Sequence, residues 1–249
     1  MITKILDHTP WIGSFPLSPF LNKLHELKSA EGKRRILILT KFRGSFYTIL
    51  TTYTWIGFII KRIDDDLYND LECHKKLQLV SQGVRVTADE LPPSNLNLTN
   101  IDIVSLIVFC CILMDDITRF LRLLMRGEST PKTKDFGKFK KNLDNFEGEK
   151  LKELNRIIQN TNWYQDLKDL RDHPIIHRGD KNSGIGIHGE SIGIHLRYVE
   201  DKKIKETFIS NRDIDGICDN VHVFLKGLNE FLCRNFDFLP LEVTKKKDS

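Results

Sequence analysis

The chain has 249 residues, 40% hydrophobic and 29% charged, with 15 Phe; this suffices for a sizeable core and excludes a disordered chain. Its 38 Lys and Arg against 34 Asp and Glu leave a formal charge of +4, which neither announces nor excludes a nucleic-acid partner. The cysteines (Cys73, Cys110, Cys111, Cys218 and Cys233) contain no C-x-x-C, so neither a disulfide framework nor a zinc knuckle is expected, and a reduced, cytoplasmic setting is.

Residues 1–20 hold Pro10, Pro16 and Pro19 and read as an irregular arm, with Ser18-Pro19 able to open a helix. Asp7, His8 and Pro10 interrupt what a secretory signal would need as an apolar core. Leu21, Leu24 and Leu27 predict a short helix ending near Gly32. Apolar periodicity predicts one helix from about Lys33 to Ile63 and a second from about Leu67 to Val80, parted by Asp64-Asp65-Asp66. Gly83 and Pro92-Pro93 break the chain, Thr99 or Asn100 caps an apolar helix from Ile101 to Met125, and Gly127 closes it. The apolar runs Ser45 to Ile60 and Ile101 to Met114 are shorter than the roughly 18 residues a membrane span needs, and read as central helices of a bundle.

Lys132, Lys134, Lys138, Lys140 and Lys141 mark a connection, followed by helices at about Glu149 to Ile158 and Trp163 to Asp172. Ile185-Gly186-Ile187-His188 then recurs as Ile192-Gly193-Ile194-His195, predicting a β-hairpin insert over 185–210, in which Ile192, Ile194, Leu196 and Tyr198 alternate as a strand with Lys203 to Ser210 as its hairpin partner. A last helix spans about Asp213 to Phe236, and 240–249 is a basic tail in which Lys245-Lys246-Lys247 reads as solvated. The fold class is therefore all-α: one helical domain over 1–249 with a small β-hairpin inserted before its last helix. No GxGxxG or P-loop pattern follows a predicted strand, which disfavours nucleotide-binding α/β folds.

The chemistry concentrates at Arg171-Asp172-His173-Pro174-Ile175-Ile176-His177-Arg178-Gly179. Pro174 lacks an N–H and disfavours the α conformation at His173, so the helix stops or kinks there and leaves polar side chains at its end. In an unbroken helix, residues six apart lie about 120° from facing each other, so the kink is what lets Arg171 and His177 serve one site. Histidine moves protons near neutral pH, and arginine offers phosphate a planar, permanently charged fork.

Arg171-Asp172-(x4)-His177, followed by Arg178-Gly179, resembles the R-x(4–6)-H motif of the HEPN superfamily, and its place before a last long helix suits that family. The resemblance implies a helical bundle, a homodimer and a metal-independent endoribonuclease of toxin–antitoxin, abortive-infection or other antiviral defence systems, with no cofactor. It implies catalytic roles for Arg171, as phosphate binder, and His177, as acid and base. Asp172, His173 and Arg178 become supporting residues, and an antitoxin partner, often a small nucleotidyltransferase, becomes expected. Because some members only bind RNA, nucleotide or protein, a non-catalytic module is the alternative.

Other readings attach to the same types of residue. Arg, His and Asp at a helix end also cap carbonyls or pair with one another. His173 and His177 have the i, i+4 spacing of metal ligands, but Pro174 spoils the face and no further ligand falls at a fixed spacing. His188 and His195 would join them only if the hairpin folds back; otherwise they are exposed strand residues, and no metal is expected. Asp64-Asp65-Asp66 with Asp70, and Asp115-Asp116, have the composition of a Mg²⁺–diphosphate site, yet Asp66 at an apparent helix start favours dipole capping. Cys110-Cys111 reads as buried core, and Lys138, Lys140 and Lys141, spaced with Phe136 and Phe139, as a weak RNA-contacting loop.

Overall fold

A computed structural model describes residues 6, 15–26, 33–91, 96–126, 133–172, 184–188, 191–200 and 203–245. Helix α1 (Ser18–Glu26) starts where Ser18-Pro19 predicts, and buries Phe20 and Leu24. The arm before it is not wholly irregular surface: Phe15 and Leu17 are buried, and Leu6 donates its N–H to Asp64 Oδ1.

Helix α2 (Lys33–Ser81) is one continuous helix through the acidic triplet, where the sequence suggested two. The reason lies in its apolar spacing, because Ile56, Ile59, Ile60, Ile63 and Leu67 are all buried and carry one stripe past the aspartates. No Gly or Pro interrupts it there, so Asp66 is mid-helix and the dipole-capping account of it fails. The helix ends at Gly83, whose φ of 86° L-residues with a side chain rarely adopt, with the Val84 N–H returning to the Leu79 carbonyl.

Helix α3 (Leu96–Leu124) begins earlier than predicted. Thr99 and Asn100 lie inside it, buried, and Thr99 Oγ1 donates to Asp70 Oδ2 rather than capping. Cys110 and Cys111 are buried as expected, and all five cysteines are free thiols. Strand β1 (Met125–Arg126) follows. Helix α4 (Phe136–Leu143) then replaces the predicted lysine-rich loop; Asp135 Oδ1 accepts from the Lys138 N–H as its N-cap, and Phe136, Phe139 and Leu143 point inward. Strand β2 (Phe146–Glu147), helix α5 (Leu151–Gln159) and helix α6 (Trp163–Leu170) come next.

The insert is a three-stranded antiparallel meander rather than a two-stranded hairpin: β3 (Gly184–His188), β4 (Ser191–Glu200) and β5 (Lys203–Ser210), in the order β3-β4-β5. The two Ile-Gly-Ile-His copies pair directly, Gly186 with Gly193 and Ile187 with Ile192. Ile192, Ile194, Leu196 and Ile209 bury one face. Ser210 ends β5 and at once caps helix α7 (Asn211–Arg234), its N–H and hydroxyl both donating to Asp213 Oδ2. Asn211 Oδ1 also accepts the Ile192 N–H, fastening β4 to the start of that helix.

The basic tail begins in two short strands. Strand β6 (Leu241–Glu242) pairs in parallel with β1, strand β7 (Thr244–Lys245) pairs antiparallel with β2, and Leu241 and Val243 are buried.

The chain groups into two compact units, each assembled from separated stretches: 1–9, 56–108 and 167–218 in the first, 10–55, 109–166 and 219–249 in the second. The second unit holds an aromatic core in which Phe120 packs edge-on against Phe20, Phe42 and Phe46 at 5.9–6.1 Å between ring centres. Each such buried ring contributes roughly 1.5–3 kcal/mol from burial alone. Among the described residues, no helix is long and apolar enough to cross a membrane.

Candidate functional site

Helix α6 is short and amphipathic. Tyr164 and Leu167 are buried, which directs the Arg171 end of the segment by packing rather than by intrinsic helix strength. After Leu170 the helix widens into a π turn at Arg171-Asp172, immediately before the expected break at Pro174. There the Arg171 Nε donates to Asp172 Oδ1 at 2.7 Å, with the two side chains 19% and 31% exposed. Asp172 thus orients the neighbouring guanidinium. It also offsets that guanidinium's charge. His173, His177 and Arg178 lie outside the described residues.

The lysine candidates divide. Lys138 and Lys141 are exposed on α4, whereas Lys140 Nζ donates to the Gln159 carbonyl and to Asn162 Oδ1, both at 3.0 Å. Burial lowers the pKa of Lys140, and the ammonium sits on a C-terminal carbonyl of α5, where a cation complements the helix dipole. Phe136 and Phe139 are fully buried and unavailable to stack on bases; Phe136 instead meets the Tyr164 and Phe224 rings at 4.9 and 5.8 Å. The aromatic part of the RNA-contacting loop is therefore withdrawn, because those rings fill the core beneath a helix.

Three of the aspartates considered for diphosphate accept from the protein's own donors. Asp70 accepts from Thr99, Asp115 accepts the first N–H of α4 from Phe136, and buried Asp116 accepts from Thr52 Oγ1 and Arg119 Nη1. Asp102, which the sequence did not single out, is buried and paired with Arg62. Among the described residues, no group of three or more His, Cys, Asp or Glu side chains is placed to hold a metal ion.

A pair that the sequence reading set aside does come together. His188 and His195 share the solvent face of the meander, their Nε2 atoms 3.1 Å apart. Phe208, the cross-strand partner of His195, lies against both rings at 4.5 and 4.8 Å. Glu206 Oε1 lies 2.6 Å from His195 Nδ1, an ion-pair contact rather than an aligned hydrogen bond, and Glu206 Oε2 takes a 3.3 Å contact from Arg197 Nε. The twice-repeated phrase was the available signal. Two histidines in register-related positions on paired strands fall on one face, but their meeting also depends on the glycines between them.

In the second unit, a shallow cleft of about 210 Å³ is lined by Trp163, Thr161 and Ile157 on one side and Asn220, Phe224 and Gly227 of α7 on the other; Arg171 does not line it. No family model matches this chain, and neither does any curated protein or solved structure.

Proposed function

We propose that the chain is a HEPN-like, metal-independent endoribonuclease that acts as a homodimer in a toxin or defence setting, with Arg171 and His177 as its catalytic pair. The observation that carries this reading is Arg171 itself: an oriented guanidinium at a helix end, in a π turn, six residues before His177 and directly ahead of the β3–β5 insert and the last long helix.

The reaction asks for little else. The RNA 2′-hydroxyl attacks the adjacent phosphorus, the new O2′–P bond forms, and the P–O5′ bond breaks to leave a 2′,3′-cyclic phosphate. His177 takes the 2′ proton or delivers one to the departing O5′, a contribution of roughly 10²–10⁴-fold. Arg171 binds the phosphate oxygens and offsets the charge that builds on them. A two-fold related copy would place a second Arg–His pair across the cleft.

A second reading, a non-catalytic binding module, is favoured by one observation. Arg171 is four-fifths covered and already paired with Asp172, which leaves the pair with no net charge. Positive potential for RNA would then come from His177, Arg178 and the exposed Lys138 and Lys141.

Purified protein is incubated with total RNA in EDTA, beside Arg171→Ala and His177→Ala variants. The expected outcome is cleavage that survives EDTA, leaves cyclic phosphate ends, and disappears in both variants. Equal cleavage by all three proteins rejects the site, and RNA binding without cleavage selects the module.

A further inference from the structure

The outer face of the meander lacks two side chains, and neighbouring groups take their place. On β3 and β4 the positions between the two histidines are Gly186 and Gly193, which pair with each other. A Cβ at Gly186 would sit 2.3 Å from His195 Nε2, so the His195 ring lies across the space that the missing side chain leaves. A Cβ at Gly193 would meet the Ile209 carbonyl oxygen at 2.0 Å, because β5 approaches there at backbone distance. His188 pairs with Ser191, and His195 with Gly184, so the two histidines are not cross-strand partners. They reach each other only over the glycine pair.

We propose that His188 and His195 form a two-imidazole site for a late first-row transition ion of the Zn²⁺ class, with Glu206 as the carboxylate behind His195. The site goes beyond the ribonuclease reading and uses none of its residues.

Three features carry it. Two Nε2 ligands on one tetrahedral Zn²⁺, each at 2.0–2.1 Å, stand about 3.3 Å apart, and this pair stands at 3.1 Å before any ion binds. Glu206 Oε1 lies 2.6 Å from His195 Nδ1 without being aligned for a hydrogen bond; a negative charge on that side favours the tautomer with its proton on Nδ1 and its lone pair on Nε2. Phe208 packs on both rings and restricts their rotation, so less ordering is needed on binding. When the ion enters, the Nε2–H···Nε2 contact between the rings is lost, the shared proton moves to Nδ1 of His188, and both Nε2 lone pairs bind. Water completes the coordination, so the ion is exchangeable. Imidazole ligands place Cu²⁺ above Ni²⁺ and Zn²⁺ in affinity, and exclude Mg²⁺ and Ca²⁺ as occupants.

The full chain is titrated with ZnCl₂, and separately with NiCl₂ and MgCl₂, by calorimetry and by ¹⁵N spectra of the histidine rings. One saturable Zn²⁺ and Ni²⁺ site is expected, with no Mg²⁺ binding and with the two perturbed resonances being Nε2 nitrogens. His188→Gln and His195→Gln each abolish that site, and the double variant is no worse than either alone, since one imidazole cannot chelate. Glu206→Gln weakens Zn²⁺ about tenfold, the lower end of what loss of such an orienting partner costs. Gly186→Ala displaces the His195 ring and removes binding while circular dichroism stays unchanged. His188 is exposed, so its variant reads out cleanly even where His195→Gln destabilises the sheet. Absence of saturable binding overturns the proposal. So does a Zn²⁺ site that persists in both histidine variants and vanishes in His177→Gln or a cysteine variant.

Discussion

The aromatic core of the second unit and the outer face of the meander solve opposite problems with the same kind of side chain. Around Phe120, rings from α1, α2 and α3 fill space edge to face, and nothing polar is asked of them. On the meander, two imidazoles and Phe208 also cluster, but over positions where Gly186 and Gly193 carry no side chain. In the first region stability follows from volume present; in the second, geometry follows from volume absent. The difference teaches that a ring cluster becomes a ligand site only where the backbone leaves it room and its nitrogens stay addressable.

The largest effect should come from breaking the filled region. Phe120→Ala removes a fully buried ring that touches three others, and is expected to cost about 3–5 kcal/mol in urea unfolding. A cost below about 1 kcal/mol would mean that the core is loosely packed. Next in size comes the contrast between the two glycines. Gly193→Ala forces a methyl onto the Ile209 backbone and should cost about 1–3 kcal/mol. Gly186→Ala meets side chains and no backbone, the His195 ring at 2.3 Å and Phe208 Cε2 at 3.1 Å, and should cost less than Gly193→Ala. Equal costs at the two positions would break the distinction between space needed by the backbone and space left for a ligand.

The smallest effect sharpens the comparison through a third imidazole. His222 on α7 has a buried Nδ1 with no hydrogen-bond partner among the described residues. Burial pushes its pKa below the ordinary 6.5; Lys226 adds to that, and Asp219 pulls the other way. The unfolded chain therefore takes up the proton more readily than the folded one. Stability held by neutral His222 is complete above about pH 6.5 and lost as pH falls through its lower folded value. Urea midpoints compared between about pH 7.5 and 5.5 should fall more steeply for the parent than for His222→Gln. Parallel slopes would show that the group is not linked to folding.

The proposed pair, Arg171 and His177, was legible only as a local pattern. Arg171, Asp172 and the break expected at Pro174 can be read from a dozen residues because helix termination is a short-range matter. The π turn and the Arg171–Asp172 contact then add orientation that spacing does not encode. The lysine-rich stretch shows the opposite. Its charges suggested a loop, yet Phe136, Phe139 and Leu143 at helical spacing outweigh them once there is a core to enter.

Local pattern alone determined the start of α1, the stop at Gly83, the burial of Cys110 and Cys111, the strands over the repeated Ile-Gly-Ile-His phrase and the final helix. Each rests on backbone preference or on a hydrophobic period, and these act within a few residues. Tertiary structure decided the rest. It carried α2 unbroken past three aspartates, drew Leu241 to Lys245 into pairing with strands about a hundred residues earlier, and seated Lys140 on the end of α5. It also brought His188 to His195. Strand register and the approach of β5 at Gly193 are set by pairing between distant segments, and no local preference specifies which ring will lie over which glycine.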